Sequence, residues 1–125
     1  MKKILIFSIL VLVVGIGMVL VIFRSPTAFG QPFQVPALTA LQEVVKNPTS
    51  HLAADVRTEG RIVRQCPSSG CWFFLEGGSG SQVRVELGHL GMKFPQHVGQ
   101  MAEVEGRLIQ NGKQLEIVGN GVRFK

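Results

Sequence analysis

The sequence predicts a mainly β domain: a five-stranded OB-like Greek-key barrel preceded by one short helix and, ahead of both, an N-terminal transmembrane helix. Three observations carry this reading: an uncharged run over residues 4–23, one stretch with helical spacing before Asn47-Pro48, and five short segments of β-type pattern after Val56. The expected organisation is a membrane anchor over residues 1–24, an extended tether over 25–36 and an extracytoplasmic barrel domain over 37–125.

Residues 4–23 hold no charged side chain and are interrupted only by Ser8, Gly15 and Gly17. At about 1.5 Å per residue such a run is about 30 Å long, which matches the hydrocarbon core of a bilayer. A cleaved signal peptide has a shorter apolar stretch and ends in a small-x-small site. The following Arg24-Ser25-Pro26-Thr27-Ala28-Phe29 is a poor match to such a site, so an uncleaved single-pass anchor is expected. Lys2, Lys3 and the terminal amine stand on one side and Arg24 alone on the other, which favours a cytoplasmic N-terminus in the inner (cytoplasmic) membrane. The barrel domain then faces the periplasm or the extracellular space, where cysteines are more readily oxidised than in cytosol.

Topology also accounts for most of the basic charge. Setting Lys2, Lys3 and Arg24 aside leaves ten Lys and Arg against eight Asp and Glu. That near balance, without a dense Lys/Arg patch, argues against nucleic acid as a partner.

Three prolines, Pro26, Pro32 and Pro36, break any periodicity before the domain, hence the tether. Leu38, Leu41, Val44 and Val45 then recur at spacings of three and four, which predicts a helix over 37–46, stopped by Asn47-Pro48. Strands are expected at 57–65, 72–76, 82–87, 102–109 and 114–118. Gly77-Gly78-Ser79-Gly80-Ser81 separates the second and third, and Asn111-Gly112 is a hairpin signal between the last two. Five short strands with a long irregular connection over 88–99 suit the OB-fold, where a helix often fills that connection.

Within this pattern, Val56-Arg57-Thr58-Glu59-Gly60-Arg61-Ile62-Val63, then Cys66-Pro67-Ser68-Ser69-Gly70-Cys71-Trp72, then Phe94-Pro95 and the segment from Val98 to Gly106 resemble a bacterial family of exported or membrane-anchored OB-fold domains. The Cys-x4-Cys-Trp element, with Gly-Cys-Trp opening the second strand, is its specific mark. The resemblance supports the fold; OB-folds carry many unrelated tasks, so function has to come from the site. The plan of anchor plus barrel is similar to that of the OB-type haem chaperones, but their His-x-x-x-Tyr attachment motif is absent, since the chain has no tyrosine.

Cys66 and Cys71 are the only cysteines, and Trp72 is the only tryptophan. At the mouth of a hairpin the two sulfurs lie near disulfide reach, and a disulfide beside a core Trp72 is their default state outside the cytosol. Its six-residue loop would contribute only about 2 kcal/mol. A metal site needs more donors, and His89, Met92, His97 and Met101 supply them in or beside one long loop. Thiolate, thioether and imidazole favour a soft ion such as Cu(I), with Zn second, and the expected metal residues are Cys66, Cys71, His89, His97 and Met92. Cys-x4-Cys is not the redox Cys-x-x-Cys spacing at a helix N-terminus. No Ser-His-Asp set, phosphate loop or carboxylate pair is present, so the protein is expected not to be an enzyme. The leading function is a non-enzymatic, membrane-anchored module holding a soft metal for delivery or metalloenzyme assembly. The alternatives are a disulfide-stapled accessory subunit of a larger membrane complex and, less favoured, an oligonucleotide or sugar binder.

Overall fold

A computed structural model describes the backbone of residues 1–22 and 27–125, and the side chains of 1–16 and 27–125. Helix α1 covers Lys2–Ile22. Among the described residues no helix is long and apolar enough to cross a membrane. The predicted span over 4–23 runs past Ile16, the last residue of α1 described with its side chain, and Phe23 and Arg24 lie outside the described residues. The transmembrane part of the expected fold class is therefore not established by this helix.

The remaining elements are β1 (Thr27–Gly30), α2 (Leu41–Lys46), β2 (Asp55–Gln65), β3 (Trp72–Glu76), β4 (Gln82–Glu86), β5 (Met101–Asn111) and β6 (Gln114–Phe124). Strands β2, β3, β4, β6 and β5 follow one another around a ring that closes by β5 pairing with β2. All pairings are antiparallel except β4 with β6. The expected mainly β architecture with ring-like closure is present, but the sheet has six strands rather than five, because β1 adds to the edge of β6. Alternation along the strands sends one face inward, and Ile62, Phe73, Leu75, Val85, Val104, Leu108 and Ile117 are fully buried.

Two plugs close the core. Leu41 and Val44 of α2 are buried at the end of the barrel marked by Gly60 and Gly77, whose Cα atoms lie under Leu41. Phe94, from the long connection, fills the other end and meets Phe29 edge-on at 5.4 Å. The helix begins at Leu41 rather than at residue 37, because Thr39 instead donates its N–H to the Arg57 carbonyl. The long connection holds only the 3-10 turn Gly88–Leu90, not an α-helix. The last hairpin turns on Gly112-Lys113, one residue later than Asn111-Gly112, and both its strands reach further than expected.

The tether expected over 25–36 is not a tether where it is described; residues 25 and 26 lie outside the described residues. Strand β6 is long, and β4 pairs with it only from Glu116 to Val118, which leaves backbone donors and acceptors open beyond. Strand β1 pairs there, Thr27 to Gly30 against Gly121 to Phe124. The chain then crosses the outer face of the barrel as a strap. Both carboxylate oxygens of Glu105 accept from the Gln34 N–H, at 2.9 and 3.0 Å, and one also from the Val35 N–H at 2.8 Å. Phe33 lies between the guanidinium groups of Arg57 and Arg123. Glu103 is buried beside it and paired with Arg57, Arg123 and Lys125.

Candidate functional site

The cysteine turn owes its geometry to an irregularity two residues upstream. Ile62 pairs with Leu75, but the next pair is Arg64 with Phe74, so Val63 is a β-bulge. An extra residue inverts the alternation of everything after it. Ile62 points inward, Val63 and Arg64 are both exposed, Gln65 turns inward, and Cys66 comes opposite Trp72 through an N–H to carbonyl bond of 2.9 Å.

The register differs from expectation: Cys66 comes opposite Trp72 rather than Cys71, and both thiols are free. Trp72 is half-buried on the outer face and not in the core, because its neighbours Phe73 and Leu75 take the inward positions of β3.

Gln65 is the residue that sequence reasoning missed. It is 5% exposed, and its amide NH2 donates to the carbonyls of Gly70 at 3.3 Å and Pro95 at 2.9 Å while its carbonyl accepts the His97 N–H at 2.8 Å. Phe94 adds an N–H to the Ser69 carbonyl at 2.8 Å, and Gln96 donates to the Cys66 carbonyl at 2.8 Å. The long loop is thus brought to the cysteine turn, as the sequence suggested, but by backbone and amides rather than by imidazole and thioether. The turn itself closes when the Gly70 N–H meets the Cys66 carbonyl at 3.0 Å, with Gly70 at φ +65. A Cβ there would collide with the Phe94 carbonyl, so glycine is required on two counts.

Cys66 is 8% exposed, and its Sγ lies 3.3 Å from Ser68 Oγ and 3.7 Å from Ser69 Oγ. The Ser68 hydroxyl, then the Ser69 backbone N–H and hydroxyl and the Ser68 N–H, lower its pKa from 9.0 to about 6. Each of these donors favours the thiolate. Cys71 is half-buried, and its carbonyl accepts the Leu87 N–H at 2.7 Å.

The other expected metal donors are not gathered here. His97 Nδ1 is engaged with Gln100 Oε1 at 2.8 Å, and its ring stacks on Phe124 at 4.0 Å. His89 is exposed and lines a depression with Asp55, Arg107 and Asn120, while Met92 is exposed in the loop. Among the described residues no group of three or more His, Cys, Asp and Glu stands close enough to hold a metal ion.

Beside the turn, the outer faces of β2, β3 and β4 carry interleaved aromatics and guanidinium groups. Arg64 lies 4.4 Å from the Phe74 ring and 5.7 Å from Trp72, Arg84 lies 5.2 Å from Trp72, and the two rings meet edge to face at 6.0 Å. Arg84 is neutralised by Glu86 at 2.7 Å and Glu116 at 3.6 Å.

No family model and no curated protein matches the chain. Among solved structures it is similar to the hypothetical protein ygiW from E. coli, with 17% identity and a TM-score of 0.55 over 78% of this chain and 97% of that one. It is also similar to a Leishmania major Friedlin protein assigned as an aspartyl-tRNA synthetase, with 10% identity and a TM-score of 0.54 over 80% of this chain and 23% of that one. At these identities the likeness shows the fold alone.

Proposed function

We propose that this protein is a non-enzymatic binding module, held outside the cytoplasmic membrane by residues 4–23, whose Cys66–Cys71 turn takes up a soft ion such as Cu(I) for delivery or metalloenzyme assembly. The observation that carries this reading is the Cys66 thiol, free and surrounded by donors that favour its ionised form. Thiolate is the form that ligates, and sulfur donors select Cu(I), with Zn second. The anchor rests on the length of the uncharged run and on the Lys2, Lys3 charge bias. The Cys-x4-Cys-Trp resemblance to exported OB-fold domains agrees with it.

The strap supports a membrane-protein partner. Only residues 23–26 separate α1 from β1, a reach of at most about 18 Å at full extension, so an anchored barrel would work close to the bilayer. The same observation suits the second reading, an accessory subunit of a larger membrane complex with its cysteines oxidised to a staple.

Thiol titration and intact mass of the anaerobically purified chain, with and without Cu(I), separate the two. Stoichiometric binding that is lost in both Cys66→Ser and Cys71→Ser is the expected result. An oxidised pair that resists mild reductant and takes up no metal would overturn the metal reading.

A further inference from the structure

We propose that the loop over 91–100 docks on the anionic surface of the membrane that holds the anchor, with Val98 and Met92 entering the headgroup layer and Arg61 and Lys93 meeting lipid phosphates. The inference rests on the reading of residues 4–23 as an anchor and adds to it an orientation of the barrel. Thr27, where the chain enters the barrel, pairs with Phe124, and the His97 ring stacks on Phe124 at 4.0 Å. The loop therefore lies at the end of the barrel to which α1 leads, within the reach of at most about 18 Å that residues 23–26 allow. The turn at Gly112-Lys113 lies at the opposite end, beyond the eleven residues of β6 and about 35 Å away.

Shape and charge both fit a bilayer surface. The Gln100 N–H meets the His97 carbonyl at 3.0 Å and Gly99 has φ +90, so Val98 stands at the corner of a tight turn whose next position needs glycine. At 57% exposure Val98 is the most exposed large apolar side chain outside α1 among the described residues. The turn is fixed from behind: the Ile62 N–H donates to the Gln100 carbonyl at 2.9 Å, the Gly99 N–H to the Ile62 carbonyl at 2.7 Å, and Arg61 Nη1 to the Gly99 carbonyl at 2.6 Å. An apolar side chain held outward in this way adds nothing to the core, and little freedom is left to lose on docking. Met92 and Val63 are exposed beside it. Residues 60–75 and 87–102, which carry the cysteine turn, the loop and the strand ends next to them, contain no Asp or Glu. Their cations are Arg61, Arg64 and Lys93, all exposed and none paired with a carboxylate among the described residues. An anionic leaflet attracts such a face, and so small a contact suffices because the anchor keeps the barrel at the surface.

The test uses the full chain reconstituted in vesicles of phosphatidylcholine, alone or mixed with the anionic phosphatidylglycerol. Flotation after alkaline extraction reads the anchor by itself: a chain that is stripped off refutes the anchor and this inference with it, whereas the outcomes that follow bear on docking alone. Val98→Trp combined with Trp72→Phe places the only tryptophan at the turn, where lipids brominated on the upper acyl chain quench it on entry. Quenching of about twofold or more is expected in anionic vesicles, since interfacial side chains reach about 5–10 Å into the headgroup and acyl boundary. Lys113→Trp in the same background should stay within about 1.2-fold of its unquenched signal, because the length of β6 holds it clear of the lipid. Lys93→Gln should lower the docked-to-undocked ratio about fivefold, the weight of one cation at an anionic surface. Hydrogen exchange repeats the comparison on the unsubstituted chain. The N–H groups of Met92, Lys93 and Val98 make no hydrogen bond among the described residues, and in anionic vesicles they should exchange about threefold or more slower than in neutral detergent, with the Gly112-Lys113 turn unchanged. Equal quenching at positions 98 and 113 overturns the proposal, as does unchanged exchange of the three loop amides. Quenching at position 98 that is the same in neutral and anionic vesicles also overturns it.

Discussion

Gln65→Ala should cost more stability than any other single polar substitution near the cysteine turn. The side chain is buried and makes three hydrogen bonds, one to Gly70 of the cysteine turn and two, to Pro95 and His97, that join the end of β2 to the loop over 94–97. At about 1 kcal/mol net for each, the loss is about 3 kcal/mol. Stranded carbonyls add to this unless water reaches them. A domain of this size has a total stability of about 5–13 kcal/mol, so the variant should fold, with a melting temperature lower by about 12–24 °C. Gln100→Ala is the control, because it removes only an exposed bond to His97 Nδ1 and should cost less than about 0.5 kcal/mol. Thermal melts followed by the fluorescence of Trp72, the only tryptophan, report the transition at the site itself. A loss below about 4 °C, or one equal to that of Gln100→Ala, would show that Gln65 does not hold the loop to the turn.

Four further outcomes are expected. The folded pKa of Cys66, about 6, lies below its ordinary 9.0, so its ionisation stabilises the fold fully above pH 9, and that contribution falls as the pH drops toward 6. Under reducing conditions the melting-temperature advantage of the parent over Cys66→Ala should therefore grow from pH 6 to 9; a constant difference refutes the thiolate. Thr58→Val should raise stability by about 1 kcal/mol in urea melts, since Thr58 is fully buried and its hydroxyl has no partner. Gly106→Ala should destabilise by about 2–4 kcal/mol or prevent folding, because a Cβ would run into the backbone of Val118 and Gly119 across the β5–β6 pair, and a normal melt would contradict that packing. Glu105→Ala removes the acceptor of the strap, so limited proteolysis should cut within 31–36 well before the barrel, and unchanged protection would show that β1 alone holds the segment.

The barrel was legible because its strands alternate and its turns carry glycine and asparagine. Val83, Val85 and Leu87 are buried between Arg84 and Glu86, as the pattern requires. The strap was not legible, because Thr27 to Gly30 has no pattern of its own. It becomes a strand only because β4 is short and leaves the end of β6 open. The same segment inverts the expectation for two acids. Glu103 and Glu105 look like solvent-facing strand positions in sequence, yet both are buried where residues 33–36 cross over them. Charge on a strand marks the face away from the core, and a later covering layer leaves no trace in strand periodicity.

The cysteine turn was found by its residues and misjudged by its register, and the cause is a single residue. With Val63 counted as part of a regular strand, Arg64 would point inward, Gln65 outward, and Cys66 would share the core side with Phe73. A guanidinium at a core position is costly, whereas a buried glutamine amide can be satisfied by three backbone groups, and it is. The bulge therefore relieves a conflict in the sequence itself. In doing so it exposes Arg64 and sets Cys66 opposite Trp72. The Cys66 thiol then lies beside the Ser68 and Ser69 hydroxyls, at 3.3 and 3.7 Å, so the donors around it are a consequence of that one-residue shift.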